Sequence, residues 1–169
     1  MTASTDLLVD AFGRIREAVE EAVTGLGPDE LSTRPEDDAN SIGWLVWHLT
    51  RIQDDHLAGV AGTEQLWTSD GWCERFGLPF SADDTGYGHS RKEVAAVKDI
   101  GEELLTGYHE VVHDSTVQYL AGIADKDLKR VVDRSWTPPV TMGVRLVSVI
   151  ADGLQHAGQA AYVRGLLGY

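Results

Sequence analysis

The chain contains a single cysteine, Cys73, which can close no intramolecular disulfide and build no cysteine-based zinc cluster. No histidine stands at a recognisable distance from it in sequence to act as its base, so cysteine catalysis is not expected. Any metal has to be held by His, Asp or Glu. Cations are scarce as well: 14 Lys and Arg face 27 Asp and Glu, for a formal net charge of −13. That field repels a phosphate backbone, and no basic run offsets it locally, which argues against nucleic acid as a partner. Long apolar runs are missing; none approaches the roughly 20 residues of a membrane span. The opening MTASTDLLVDAFGRIREAVE turns acidic where a signal peptide stays apolar, so no membrane is involved and a cytoplasmic location is expected. A glycine-rich phosphate loop, a nucleophile elbow and a calcium-binding loop are likewise absent from the sequence.

What is present is helical periodicity. At 169 residues and 43% apolar content, residues 1–169 suit one domain around one core. Leu7, Leu8, Phe12, Ile15, Val19 and Val23 recur at spacings of three and four, which predicts an amphipathic helix over 6–24. Pro28 and Pro35 interrupt it, PDELSTR has room for one short helical turn, and Asn40 stands where the next helix, about 41–61, needs a cap. A connection of 62–90 follows, too broken for a long element yet supplied with Trp67, Trp72, Phe76 and Phe80. Connections of that length are more often packed or functional than idle. Val94, Val97, Leu104, Tyr108, Val111, Ser115 and Tyr119 predict a third helix over about 91–123, roughly 45 Å long at ~1.5 Å per residue. Pro138 and Pro139 forbid helix before a last one of about 143–167, and VVD at 131–133 has room to be extended. Four long helices without a convincing strand predict an all-α, up-and-down four-helix bundle.

Polarity intrudes on two of these helices. In the last, Val144, Leu146, Val147, Val149, Ile150, Ala151, Leu154 and Ala161 surround nearly the whole axis, which predicts burial on most sides. Asp152, Gln155, His156 and Gln159 share about a third of the circumference, so the apolar surroundings demand partners for them. Asp152 and His156 stand at i, i+4, a spacing that brings two side chains to one ion; the same spacing also makes an ordinary helix hydrogen bond, and both readings stay open. His48, beside Trp44, Leu45 and Ile52 on the equally apolar helix SIGWLVWHLTRIQ, is the best third ligand. Two histidines and one carboxylate leave coordination positions open, the mark of a catalytic rather than a closed structural site. Asp55, two turns from His48, is a candidate to orient a site residue. His109 and His113 also have ligand spacing, but they project toward the side of Lys98 and Glu102, which predicts a solvated flank. His56 points into an apolar stripe and is expected in the core. Trp44 and Trp47 are read as core, with a pocket wall as the alternative.

SIGWLVWHLTRIQ, with one ligand histidine on an apolar second helix, and DGLQHAGQ, similar to a fourth-helix H-x3-H-x-G-Q motif, resemble the DinB/YfiT-like superfamily of metal-binding four-helix bundles. That superfamily includes mycothiol- and bacillithiol-dependent transferases and a mycothiol-dependent maleylpyruvate isomerase. The resemblance covers most of the chain and places metal ligands on His48, Asp152 and His156, with Gln159 orienting from behind. Asp152 departs from the histidine more common at its position, and a hard carboxylate weakens any preference for soft metals. What the resemblance implies is a divalent ion, zinc foremost with nickel as an alternative, activating a low-molecular-weight thiol such as mycothiol against a small electrophilic substrate. A hydrolase using metal-bound water and a non-catalytic metal- or ligand-binding stress protein are the competing expectations. Wide apolar arcs on helices two and four further predict a homodimer.

Overall fold

The computed structural model describes residues 2–169. Helix α1 (Ala3–Val23) opens on a capping box: the Thr5 N–H donates to Thr2 Oγ1 and the Thr2 N–H to Thr5 Oγ1, at 3.3 and 2.9 Å. A single turn, α2 (Pro28–Ser32), leads to α3 (Ile42–Ala61). The cap of α3 is Ser41, whose hydroxyl accepts the Trp44 N–H at 3.2 Å, one residue beyond the Asn40 expected from the sequence. Three short turns, α4 (Leu66–Ser69), α5 (Trp72–Phe76) and α6 (Arg91–Val94), carry the chain to α7 (Glu102–Ala121). A small antiparallel pair, β1 (Val131–Asp133) with β2 (Val140–Thr141), then precedes α8 (Met142–Leu167). The fold is all-α apart from that pair, as the periodicity predicts.

Contacts at the helix ends give the directions. The end of α1 meets the start of α7 where the Gly25 N–H donates to Glu102 at 2.8 Å, and it meets the end of α8 where Arg164 donates to the Ala22 carbonyl at 3.1 Å. Thr50 and Gln53 of α3 reach His109 and Thr116 of α7, in the same order along both helices. So α1 and α8 run one way, and α3 and α7 the other: the order is up-down-down-up, not the up-and-down order expected from the sequence, because α7 starts at the same end of the bundle as α3. The 62–101 connection therefore returns the chain along the length of the bundle before α7 begins, which accounts for its size.

The third helix is shorter than its pattern predicts. Residues 95–101 leave the helix, Asp99 takes a left-handed φ of 61°, and α7 proper has 20 residues, about 30 Å at ~1.5 Å each. Val94, Val97 and Ile100 are nonetheless all buried, so the apolar rhythm passes through the break and hides it.

Helix α8 is less buried than its apolar pattern predicts. Fifteen of the 20 residues of α3 are buried, against seven of the 26 in α8. The returning connection lays Trp67 and Phe80 on Trp47 of α3 and Trp72 and Phe76 on Tyr108 of α7, and among the described residues the outer side of α8 stays uncovered, with Val144, Val147, Leu154, Tyr162 and Leu166 exposed. The inner face of α8 packs closely on α1: a Cβ added at Gly153 would lie 2.9 Å from Ile15 Cδ1 and would have to displace the end of that side chain.

Arg51 fastens the wrapping segment. Its guanidinium is fully buried, donates to Gln65 at 2.8 Å, and lies 4.9 Å above the Trp67 ring. Asp54, one turn on, accepts the N–H groups of Leu66 and Trp67 at the start of α4, at 3.0 and 2.8 Å, and the Tyr108 hydroxyl at 2.8 Å. Burial pushes the Asp54 carboxyl up, and those donors and Arg51 oppose the shift. Burial first, then the Asp54 charge, pushes the Tyr108 hydroxyl well above its ordinary range.

Candidate metal centre

The antiparallel crossing of α3 and α8 brings His48, Asp152 and His156 together, with one potential ligand atom from each all within 4.8 Å of one another. Ligand atoms about 2.0 to 2.2 Å from one ion stand ~3.3 to 3.6 Å apart in a tetrahedral shell. Small side-chain movements would therefore close this group on a metal. Each residue reaches the point for a local reason. Asp152 and His156 lie one helical turn apart, and His156 Nε2 is 3.4 Å from Asp152 Oδ1. His48 is buried on α3, with its ring stacked on Trp44 at 4.7 Å and edge-on to His156 at 4.8 Å.

The hydrogen bonds orient the two imidazoles. The Thr85 carbonyl lies 2.5 Å from His48 Nδ1; a carbonyl only accepts, so Nδ1 carries the proton and Nε2 keeps its lone pair. Gln159 Oε1 accepts from His156 Nδ1 at 2.9 Å, which leaves Nε2 as the nitrogen that faces Asp152. Gln159 is thus bonded to the ring nitrogen of His156 that faces away from Asp152. The second oxygen of Asp152, Oδ2, is buried without a hydrogen-bond partner. A carboxylate oxygen left in that condition is costly, and a cation is the natural group to satisfy it.

Protonation differs between the two histidines. Burial lowers the His48 pKa, opposed by the Thr85 carbonyl. The His156 pKa is raised, chiefly by its hydrogen bond to Asp152, against the effect of burial. The neutral form is thus favoured at His48 and the protonated form at His156.

Other residues singled out in the sequence lie elsewhere. Asp55 accepts from Gln65 at 2.8 Å and faces His56 at 3.4 Å, so its hydrogen bonds do not reach the three clustered residues. His56 is half-buried between Asp55 and Arg145 rather than in the core. His109 and His113 are both buried, not on a solvated flank. The reason is that α7 packs against α1 as well as α3, which covers two sides of the helix. His109 Nδ1 lies 3.0 Å from Thr50 Oγ1, and burial, with the charges of His113 and Arg16, lowers its pKa to about 3. Trp47 is buried beside Trp67 and Phe80 as core. Cys73 is half-buried at the edge of the core.

Two neighbours of the centre went unread in the sequence. His89 sits against Trp44, Trp47 and Phe80, and Asp84 lies 3.1 Å from its Nε2. Both belong to a loop, so no periodicity marks them; the only signal was GYGHS, glycines beside a histidine in an otherwise aromatic segment.

The mycothiol-S-transferase family matches residues 7–168. A comparison with curated proteins finds no match. Among solved structures, the chain is similar to a conserved protein from Enterococcus faecalis, with 35% identity, a TM-score of 0.92, and 100% of this chain and 99% of that one covered. A match over nearly the whole length, on a bundle that gathers two histidines and an aspartate where α3 crosses α8, places this chain in the mycothiol-S-transferase family of DinB/YfiT-like proteins.

Proposed function

We propose that the protein is a metal-dependent thiol S-transferase acting on small electrophilic molecules, with His48, Asp152 and His156 as metal ligands and residues 1–169 as one catalytic unit. The observation that carries this reading is the buried, unpartnered Oδ2 of Asp152 beside two imidazoles whose Nδ1 protons are engaged elsewhere. The two nitrogens and one oxygen suit zinc, and nickel fits the same donors. A divalent ion held there supplies positive charge that favours the thiolate form of a bound thiol near neutral pH.

The chain's own groups do the rest. His48, fixed by Thr85 and stacked on Trp44, supplies a rigid neutral donor, and Asp152 offsets one of the cation's two charges. Gln159 holds the His156 ring by its far nitrogen. The side chains of His156 and Asp152 are 20% and 33% exposed, which leaves an open side where a thiol and an electrophile can meet. In the transfer the thiol loses its proton to solvent through that side. The sulfur lone pair then forms the new bond to the electrophilic carbon, and the leaving group departs with the electron pair of the bond that breaks. The family description points to mycothiol as the thiol, and removal of reactive electrophiles in the cytoplasm is the physiological role that follows. Among the described residues no helix is long and apolar enough to cross a membrane.

The outer face of α8 supports a homodimer. Val144, Val147, Ala151, Leu154, Gly158, Ala161 and Gly165 repeat at alternating three and four, with Tyr162 and Leu166 alongside. Val144, Val147, Leu154, Tyr162 and Leu166 are 54%, 61%, 43%, 68% and 56% exposed, a continuous apolar stripe of the kind that marks an interaction surface. A second copy, packing α8 on α8 about a two-fold axis, is the occupant we assign to it.

The direct test of the chemistry is consumption of an electrophile such as a chlorinated aromatic by the zinc-loaded protein, with and without mycothiol. Turnover that requires the thiol and releases a thioether supports the assignment. Turnover in water alone would indicate hydrolysis, and no turnover with any thiol would favour a binding protein.

A further inference from the structure

We propose that the loop 84–89 is a positioning clamp that selects the tautomer of His48 and thereby sets the strength with which the centre holds its metal. The proposal rests on the reading of His48 as a ligand, and its geometry comes from residues outside the ligand set. The carbonyl that meets His48 Nδ1 belongs to Thr85, and three separate contacts hold that carbonyl in place.

The first contact is an internal brace. Asp84 Oδ1 accepts the Gly86 N–H at 2.7 Å and lies 3.1 Å from His89 Nε2. The second ties the loop to α3 through a chain of bonds with one possible direction. The Trp44 indole N–H, which can only donate, is 3.1 Å from His89 Nδ1. His89 Nδ1 is therefore the acceptor, and its Nε2–H donates to Asp84. Trp44 is also the ring stacked on His48, so one side chain joins the brace to the ligand. The third is Arg51, whose Nε and a terminal nitrogen donate to the carbonyls of Asp84 and Ala82 at 3.2 and 3.4 Å.

Gly86 makes the close approach possible. Its φ is +86°, and a Cβ there would lie 2.8 Å from Trp47 and 2.9 Å from His48 Nδ1. Alanine would have to push the loop off both rings or strain its own backbone, and either change withdraws the Thr85 carbonyl. Freed from that carbonyl, the imidazole shifts toward its other tautomer, whose Nε2 carries a proton where the metal needs a lone pair. Asp84, Gly86 and His89 touch neither substrate nor metal in this account; they act through His48.

The test pairs two measurements on Gly86→Ala, Asp84→Ala, Asp84→Asn and the wild type. Zinc affinity is measured by competition with a chromogenic chelator, and the His48 tautomer by nitrogen-15 NMR on metal-free protein. We expect wild-type His48 to carry its proton on Nδ1. Gly86→Ala and Asp84→Ala should show a mixture of tautomers and bind zinc about 10 to 100 times more weakly, with helical circular dichroism retained. Asp84→Asn, whose amide oxygen accepts the same two N–H groups, should keep the wild-type tautomer and most of the affinity. If Gly86→Ala does not fold, the Asp84 pair decides. A wild-type proton on Nε2, or wild-type tautomer and affinity in Asp84→Ala, would overturn the clamp. A protein with the Nδ1 proton that takes up no zinc would overturn the ligand reading instead, so the two failures are distinguishable.

Discussion

One oxygen of Asp152 lies 3.4 Å from Nε2 of His156, while its other oxygen is buried and meets no donor. The pair is half satisfied, and under the proposed function a cation between Asp152 and His48 would complete it. Asp152→Asn keeps the shape and removes the charge. Zinc affinity should fall at least tenfold, and the His156 pKa, raised mainly by this carboxylate, should move back down in the metal-free protein when followed by proton NMR. Asp152→His should retain zinc, because it supplies a third nitrogen in the same place. An Asn variant with unchanged affinity and unchanged His156 titration would contradict the pairing.

Metal uptake should weaken in mild acid. His156 must release its proton to bind, and its pKa lies above the ordinary histidine value. Zinc affinity measured by competition should therefore begin to fall as pH drops through a value above about 6.5. An affinity flat from pH 8 to pH 5 would show that His156 is not a ligand.

His109 makes a separate statement about stability. Its folded pKa of about 3 lies below the unfolded value of about 6.5. Between those limits the unfolded chain binds more protons than the folded one, so stability is full above pH 6.5 and declines as pH falls toward 3. The loss available from this one group is on the order of 4 kcal/mol. Urea unfolding of metal-free protein should show it, and His109→Gln should flatten the profile over that window. A slope identical in wild type and variant would contradict the burial of a neutral His109.

The outer face of α8 predicts a dimer. Sedimentation at micromolar concentration should report two chains, and Leu154→Arg with Val147→Glu should give a monomer of unchanged helicity. A monomeric wild type would remove the interface.

The meeting of His48, Asp152 and His156 was legible because two regular patterns expose it: an i, i+4 pair on α8, and one histidine inside the otherwise apolar start of α3. Periodicity also located the long helices. It overran the break at 95–101, because Val94, Val97 and Ile100 all stay buried across it, and a single left-handed residue changes the path without changing the pattern. It misjudged His109 and His113 because a projection from one apolar face ignores a second neighbour, and α1 covers that side. It placed α8 at the centre because hydropathy alone does not say which apolar helix the 62–101 connection wraps. Asp84 and His89 were out of reach because they lie in a loop of the 62–101 connection, where no periodicity marks which residues fold back onto α3.

The central claim is that His48, Asp152 and His156 hold one divalent ion. Elemental analysis of protein purified without chelator or affinity nickel tests it most directly, on wild type, His48→Ala, His156→Ala and His113→Asn. We predict about one zinc or nickel ion per chain in wild type and His113→Asn, and loss of the ion in the other two with helical content intact. A metal-free wild type, or an ion lost only from His113→Asn, would contradict the account.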